Sequence, residues 1–276
     1  MHTSAVRATG LDAAMPPWVQ DGGLEAWIER LRDPKLRARV MADMRDPAPT
    51  WENLYGLAGA GGTLLLAFKN PQLKPLTGKT LAEVAQARGV SPEDAAVDLV
   101  IEDGSRVGVG YFLMSEDNIR REVALPWVSF DSDEAAPAPA GVFLKSNPHP
   151  RAYGNFARLL ARYVREEKAL SLPQAIHKLA TLPAATLSLA DRGELKRGYF
   201  ADVVVFDPAT IQDHATYEHP HQLATGVDEV WVNGVRALRH GEATGAASGR
   251  AVRGRAWTGG GGGGCRASPH EWTWSP

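Results

Sequence analysis

The sequence predicts an α/β fold followed by a smaller all-strand region. Three observations carry that prediction: helical periodicity alternates with short apolar runs through the first two thirds of the chain; proline, glycine and capping residues punctuate those segments; and from about Gly198 the pattern changes to strands and tight turns. With 276 residues, 44% hydrophobic and 22% charged, the chain has the material for one large domain or two modest ones.

Taken in order, Leu24, Trp27, Ile28 and Leu31 fall at i, i+3, i+4 and i+7, and Leu36, Val40 and Met44 continue the pattern beyond Pro34, which predicts a two-part amphipathic helix. After the turn Gly59-Ala60-Gly61-Gly62, the run Thr63 to Phe68 is too short for a solitary helix and reads as a buried strand. Thr80 and Glu83 have capping-box spacing, Gly89 supplies a stop, and Ser91-Pro92 opens the next helix. Ala124 to Phe130 reads as a strand running into the acidic loop Asp131-Ser132-Asp133-Glu134. Pro150 opens a long helix through about Glu167, and Ser171 caps another. Asp202 to Phe206 is a continuous apolar strand, and Asn233-Gly234 joins Glu229–Val232 to Val235–Leu238 as a type I′ hairpin. The glycine run Gly259 to Gly264 cannot offset its own ordering entropy, so disorder is expected from about Trp257.

Thirty basic residues against thirty-two acidic ones, net charge −2, leave no electrostatic footprint for nucleic acid or an anionic membrane. Met1 to Arg7 holds no apolar h-region, and no apolar run approaches the roughly 20 residues that span a bilayer, so neither export nor insertion is expected. A single cysteine, Cys265, cannot form an intrachain disulfide and fits a reducing, cytoplasmic setting.

Thr77-Gly78-Lys79-Thr80 lacks the earlier glycine of a phosphate-binding loop, with Leu73 in its place, and reads as a helix cap. His219-Pro220-His221 has ligand-like spacing, but the polar segment before it, His214 included, reads as a surface loop. His240 before Gly241 reads as a turn residue and His177 as a packed or rim histidine. Asp133 follows an apolar strand, where barrel enzymes place catalytic groups; a turn cap is the alternative, and Asp131 and Glu134 are rivals. Arg151 opens a helix, where its charge does not complement the dipole; a structural salt bridge or a bidentate fork for a substrate carboxylate would each account for it.

Several stretches together resemble one family, the N-acyl-D-amino-acid deacylases (D-aminoacylases) of the metal-dependent amidohydrolase superfamily. They are Gly193 to Asp207 with Asn233-Gly234, Asp103-Gly104-Ser105 with Tyr111 to Asn118, Phe130 to Asp133, and His149 to Phe156, within a resemblance running from about Ala8 to Gly254. The resemblance implies the C-terminal part of a (β/α)8 barrel over residues 1–192, strands of a small β-sandwich domain over 193–256, and a tail over 257–276. It also implies zinc as cofactor and hydrolysis of the amide in N-acyl-D-amino acids. Asp133 matches the aspartate that shuttles a proton to the departing amine and is a weak or shared metal ligand, and Arg151 matches the arginine suited to the substrate's α-carboxylate. Asp131 stands where the family usually has glycine, and Met1 to Arg7 lacks the tyrosines of the family's preceding strand.

Family members are nearly twice as long, and their front half supplies a His-x-His, a ligating cysteine and two further histidines. One carboxylate cannot hold zinc where three or four ligands are required, so this sequence reads as a truncated, inactive C-terminal portion. Two other readings compete: a cyclic-amide hydrolase of the dihydroorotase or hydantoinase kind, against which Ser115 to Asn118 and His149 to Arg151 argue, and a non-catalytic partner that completes a barrel with a separately encoded N-terminal half. Open strand edges of an unclosed barrel are expected to favour association.

Overall fold

The computed structural model describes residues 6–145 and 147–252. The tail from Trp257, with Cys265, and most of the Met1 to Arg7 segment lie outside the described residues. Strand β1 (Val6–Gly10) leads into the short helix α1 (Pro17–Gln20) and the amphipathic pair α2 (Leu24–Arg32) and α3 (Pro34–Met44). The break at Pro34 is a cap: the Asp33 carboxylate accepts from the Lys35 and Leu36 amides, and Pro34 fills the first helical position, where no N–H is needed. Helix α4 (Leu54–Ala58) then precedes β2 (Thr63–Ala67), at the position expected for the buried strand.

The Thr80 hydroxyl and the Glu83 carboxylate form the reciprocal capping box that starts α5 (Leu81–Arg88), and Gly89 ends it at a left-handed φ of 66°. Ser91 caps α6 (Pro92–Asp103) through the Asp94 amide. Strand β3 (Gly108–Phe112) completes a three-stranded sheet in the order β1-β3-β2, with Val6 opposite Phe112 and Thr63 opposite Tyr111. Trp27, Leu31, Val40, Met44, Leu65, Val97, Val100 and Tyr111 close over this sheet as one apolar core.

The expected strand at Ala124 to Phe130 does not form. Helix α7 (Glu116–Ala124) runs to the first of those residues, and a turn follows in which the Val128 amide donates to the Leu125 carbonyl. An apolar run becomes a strand only beside a pairing edge; among the described residues none lies there, and Pro126 has no N–H to offer one. The apolar side chains divide instead, Phe130 into the core and Trp127 into solvent.

Past the loop, α8 (Arg151–Arg158) continues as a π-type turn through Glu166, together making the long helix expected after Pro150. Ser171 and Gln174 form a second capping box at α9 (Leu172–Ile176), and α10 (Leu182–Thr186) follows. Ile119, Val123, Phe130, Leu160, Tyr163, Ala175 and Ile211 make a second core. Lys178 is buried within this region and donates to the carbonyls of Val123 and Leu125 at the end of α7, where a positive charge suits the helix dipole.

Strands β4 (Val203–Phe206), β5 (Val227–Val232), β6 (Val235–Arg239) and β7 (Glu242–Ala243) form a second sheet in that order. Its tight turn has Asn233 and Gly234 at φ of 52° and 80°, as a type I′ turn requires. Arg192 anchors it from outside the sheet, pairing with Asp202 and donating to the side-chain amide oxygen of Asn233. Gly226 sits at φ 88°, where an added Cβ would lie 2.4 Å from the Cα of Ile211. Adjacent Val204 and Val205 point to opposite faces of β4, and both are exposed on a strand that is the outermost of its sheet among the described residues. All strand pairs among the described residues are antiparallel. Among those residues no helix is long and apolar enough to cross a membrane.

Candidate active site

The loop after α7 and the start of α8 meet at Asp133 and Arg151. Arg151 is the first residue of α8, and its side chain is only 9% exposed. One guanidinium nitrogen lies 2.8 Å from the Asp133 carboxylate and donates, also at 2.8 Å, to the Asp133 backbone carbonyl. Nε lies 3.8 Å from the Glu134 carboxylate. Asp133 is held at a left-handed φ of 47°, and its side chain is 67% exposed. The structure thus brings the two singled-out residues into one ion pair, with Glu134 beside it, so the salt-bridge account of Arg151 is realised in the chain as it stands. Of the rivals, Asp131 is exposed and contributes its backbone carbonyl to the Asn155 amide at 2.7 Å.

Asn155 is one helical turn after Arg151, so the same helix that presents the guanidinium also ties down the loop carrying Asp133. His149 is buried just before the helix: its Nδ1 accepts the Arg151 backbone N–H at 3.1 Å, and Nε2 lies 3.3 Å from the Tyr217 hydroxyl. Neither residue was expected from the sequence to take part, although the i, i+4 spacing of Arg151 and Asn155 is a signal that could have found one of them.

A cleft of about 280 Å³ opens beside this pair, with Phe112, Glu116, Arg151, Arg158, Asp213 and Tyr217 among its walls. Its charges are matched internally. Arg158 lies 3.4 Å from Asp213 and 3.9 Å from Glu116, and Glu116 also takes Arg162 at 3.0 Å. The Tyr163 hydroxyl donates to Glu116 at 2.9 Å; burial first, and that carboxylate second, push its pKa up to about 12, so it remains a donor at neutral pH.

His219 sits in an exposed bend, His221 contacts the Phe143 carbonyl at 3.0 Å, and His214 contacts the Thr225 hydroxyl at 2.8 Å. His177 is on the surface. His240 is a turn residue at φ 49°, and it completes the only grouping of three metal-capable side chains among the described residues, with Asp228 and Glu229 on the second sheet. Around Asp133 the donor set is carboxylate alone, and that carboxylate is taken by a guanidinium. The described residues therefore do not fit a zinc site there.

This junction lies in an α/β chain that is followed by a small β-sheet. The chain matches the amidohydrolase family over residues 14–237 and belongs to it. It is 40% identical over 193 residues to the D-aminoacylase of Alcaligenes xylosoxydans xylosoxydans, a match covering 70% of this chain and 37% of that protein. Among solved structures it is similar to a D-aminoacylase described as defining a novel subset of amidohydrolases, at a TM-score of 0.64 and 30% identity over 91% of this chain and 41% of the other. It is also similar to the N-acyl-D-glutamate deacylase of Bordetella bronchiseptica, solved with zinc and a phosphonate mimic of the tetrahedral intermediate, at a TM-score of 0.56 and 33% identity over 67% and 36%. The chain thus spans well under half the length of the relatives it matches.

Proposed function

We propose that this chain supplies the substrate-anchoring arginine and the proton-transfer carboxylate of an amidohydrolase that cleaves the amide of N-acyl-D-amino acids. The observation that carries the reading is the buried Arg151 guanidinium aligned on Asp133 beside the cleft. A carboxylate oxygen already meets the guanidinium through one nitrogen, so a substrate α-carboxylate that displaced Asp133 could engage the same group. In an N-acyl amino acid the amide nitrogen is two bonds from that carboxylate carbon. Anchoring on Arg151 therefore brings the nitrogen toward the displaced Asp133, which can hold a proton and pass it to the amine as the bond breaks.

The family's barrel, small β-sandwich and zinc are part of the proposal. Zinc ligation falls outside this residue set, and a complementary chain segment like the unmatched part of the relatives would have to supply it. The exposed valines on both faces of the outermost strand β4 support such a complement. A cytoplasmic setting belongs to the same reading, supported by the single cysteine. The test is metal content and N-acyl-D-amino-acid hydrolysis of the purified chain, alone and with the missing portion supplied from a relative. Stoichiometric zinc in the chain alone, lost on replacing His219 and His221, would overturn the assignment of those histidines. Hydrolysis by the completed enzyme that survives Asp133→Asn would overturn the role of Asp133.

A further inference from the structure

Pro150 stands at the N-cap of α8 and offers no side-chain cap, so the first amide needing a partner is that of Arg151 itself. His149 provides the partner through Nδ1 at 3.1 Å, from a ring that is 2% exposed and packed edge-on to Tyr217 with centroids 5.2 Å apart. A backbone amide can only donate. Nδ1 must therefore be the bare nitrogen, and the ring proton sits on Nε2, facing the Tyr217 hydroxyl. Arg151 is thus held at both ends, its backbone by an imidazole and its guanidinium by the Asp133 loop.

We propose that His149 is a positioning residue for Arg151: a neutral imidazole, protonated on Nε2, whose Nδ1 fixes the Arg151 backbone so that the guanidinium faces the Asp133 loop. This rests on the reading of Arg151 as the anchor for the anionic end of the substrate. A merely space-filling histidine would show no coupling from Nδ1 to the Arg151 amide and no rescue by asparagine. Asparagine can place an acceptor near the position of Nδ1, whereas glutamine reaches toward that of Nε2, so His149→Asn preserves the clamp and His149→Gln and His149→Ala lose it.

The experiment uses the full chain labelled with nitrogen-15. Expected are the Nε2–H tautomer of His149, a coupling across the hydrogen bond between His149 Nδ1 and the Arg151 amide, and an ordered Arg151 Nε–H signal. That Arg151 signal should broaden in His149→Ala and His149→Gln and return in His149→Asn. Titration with N-acetyl-D-leucine should show affinity reduced at least about tenfold in the first two variants and nearly unchanged in the third. An Nδ1–H tautomer, or an Arg151 Nε–H signal as ordered in His149→Ala as in the native chain, overturns the proposal. Arg151→Ala separates the two layers: if it binds N-acetyl-D-leucine as the native chain does, the anchoring role of Arg151 falls, while the tautomer and the Arg151 signal still decide the role of His149.

Discussion

Replacing Lys178 by methionine keeps the length and most of the apolar stem of the side chain but removes an ammonium that is 4% exposed and serves two carbonyls at the end of α7. Losing the donor strands the Val123 oxygen, at about 1 to 3 kcal/mol for a buried group left unpaired, while the Leu125 oxygen keeps the Val128 amide. It also removes a cation 5.3 Å from the Phe130 ring centroid. Against this, an ammonium no longer has to be kept out of water, which returns part of the loss. The expected net destabilisation is about 1 to 3 kcal/mol, read as a lower urea midpoint at unchanged m-value. Burial lowers the Lys178 pKa from its ordinary 10.5, so between the folded and ordinary values the unfolded chain binds more protons and this residue makes stability rise with pH. Lys178→Met should abolish that contribution. A variant within about 0.5 kcal/mol of the native chain would show that the Val123 carbonyl finds water and that the buried lysine does not hold the end of α7.

Three further outcomes are expected. In an enzyme completed with the missing portion of a relative, Asp133→Asn should lower kcat by at least about 100-fold, and Arg151→Ala should lower kcat/KM by more than about 30-fold, with a smaller loss for a substrate lacking the α-carboxylate; activity abolished by Asp131→Gly but untouched by Asp133→Asn would mean that the neighbouring carboxylate is the operative one. Hydrogen bonds from Arg120, then Arg162, hold the Glu167 pKa down from 4.5 to about 2. Its stabilisation is whole above pH 4.5 and is lost as pH falls from there toward 2, so Glu167→Gln should flatten that limb in a series of urea midpoints; an unchanged limb would assign it to other carboxylates. Gly226→Ala places a methyl 2.4 Å from the Ile211 Cα at a left-handed φ, and thermal unfolding should show a loss above about 3 kcal/mol.

What could be read in the sequence was local. The boxes at Thr80 and Ser171, the stop at Gly89 and the turn at Asn233-Gly234 each depend on residues within a few positions of one another, and each formed as expected. Ala124 to Phe130 failed for the opposite reason: whether an apolar run becomes a strand is decided by a distant edge, which no local pattern records. Asp133 and Arg151 could be named from motifs, yet their pairing spans 18 positions and needed the fold to reveal it. His149 and Lys178 were harder still, because a buried polar residue looks like any other until its partner is known, and both partners are backbone atoms, which have no sequence signature.

The outer edge of β4 makes concentration a variable of this chain's behaviour. Val204 and Val205 offer apolar surface on both faces of a strand that, among the described residues, has no neighbour on its outer side. Encounter between two such edges is second order, so doubling the protein quadruples the rate at which they meet, while folding of a single chain is indifferent to dilution. A recovery that falls on concentration and is restored on dilution is the expected sign of such encounters. A lysine at position 204 or 205 would work as a gatekeeper, separating loss through sticking from loss through unfolding.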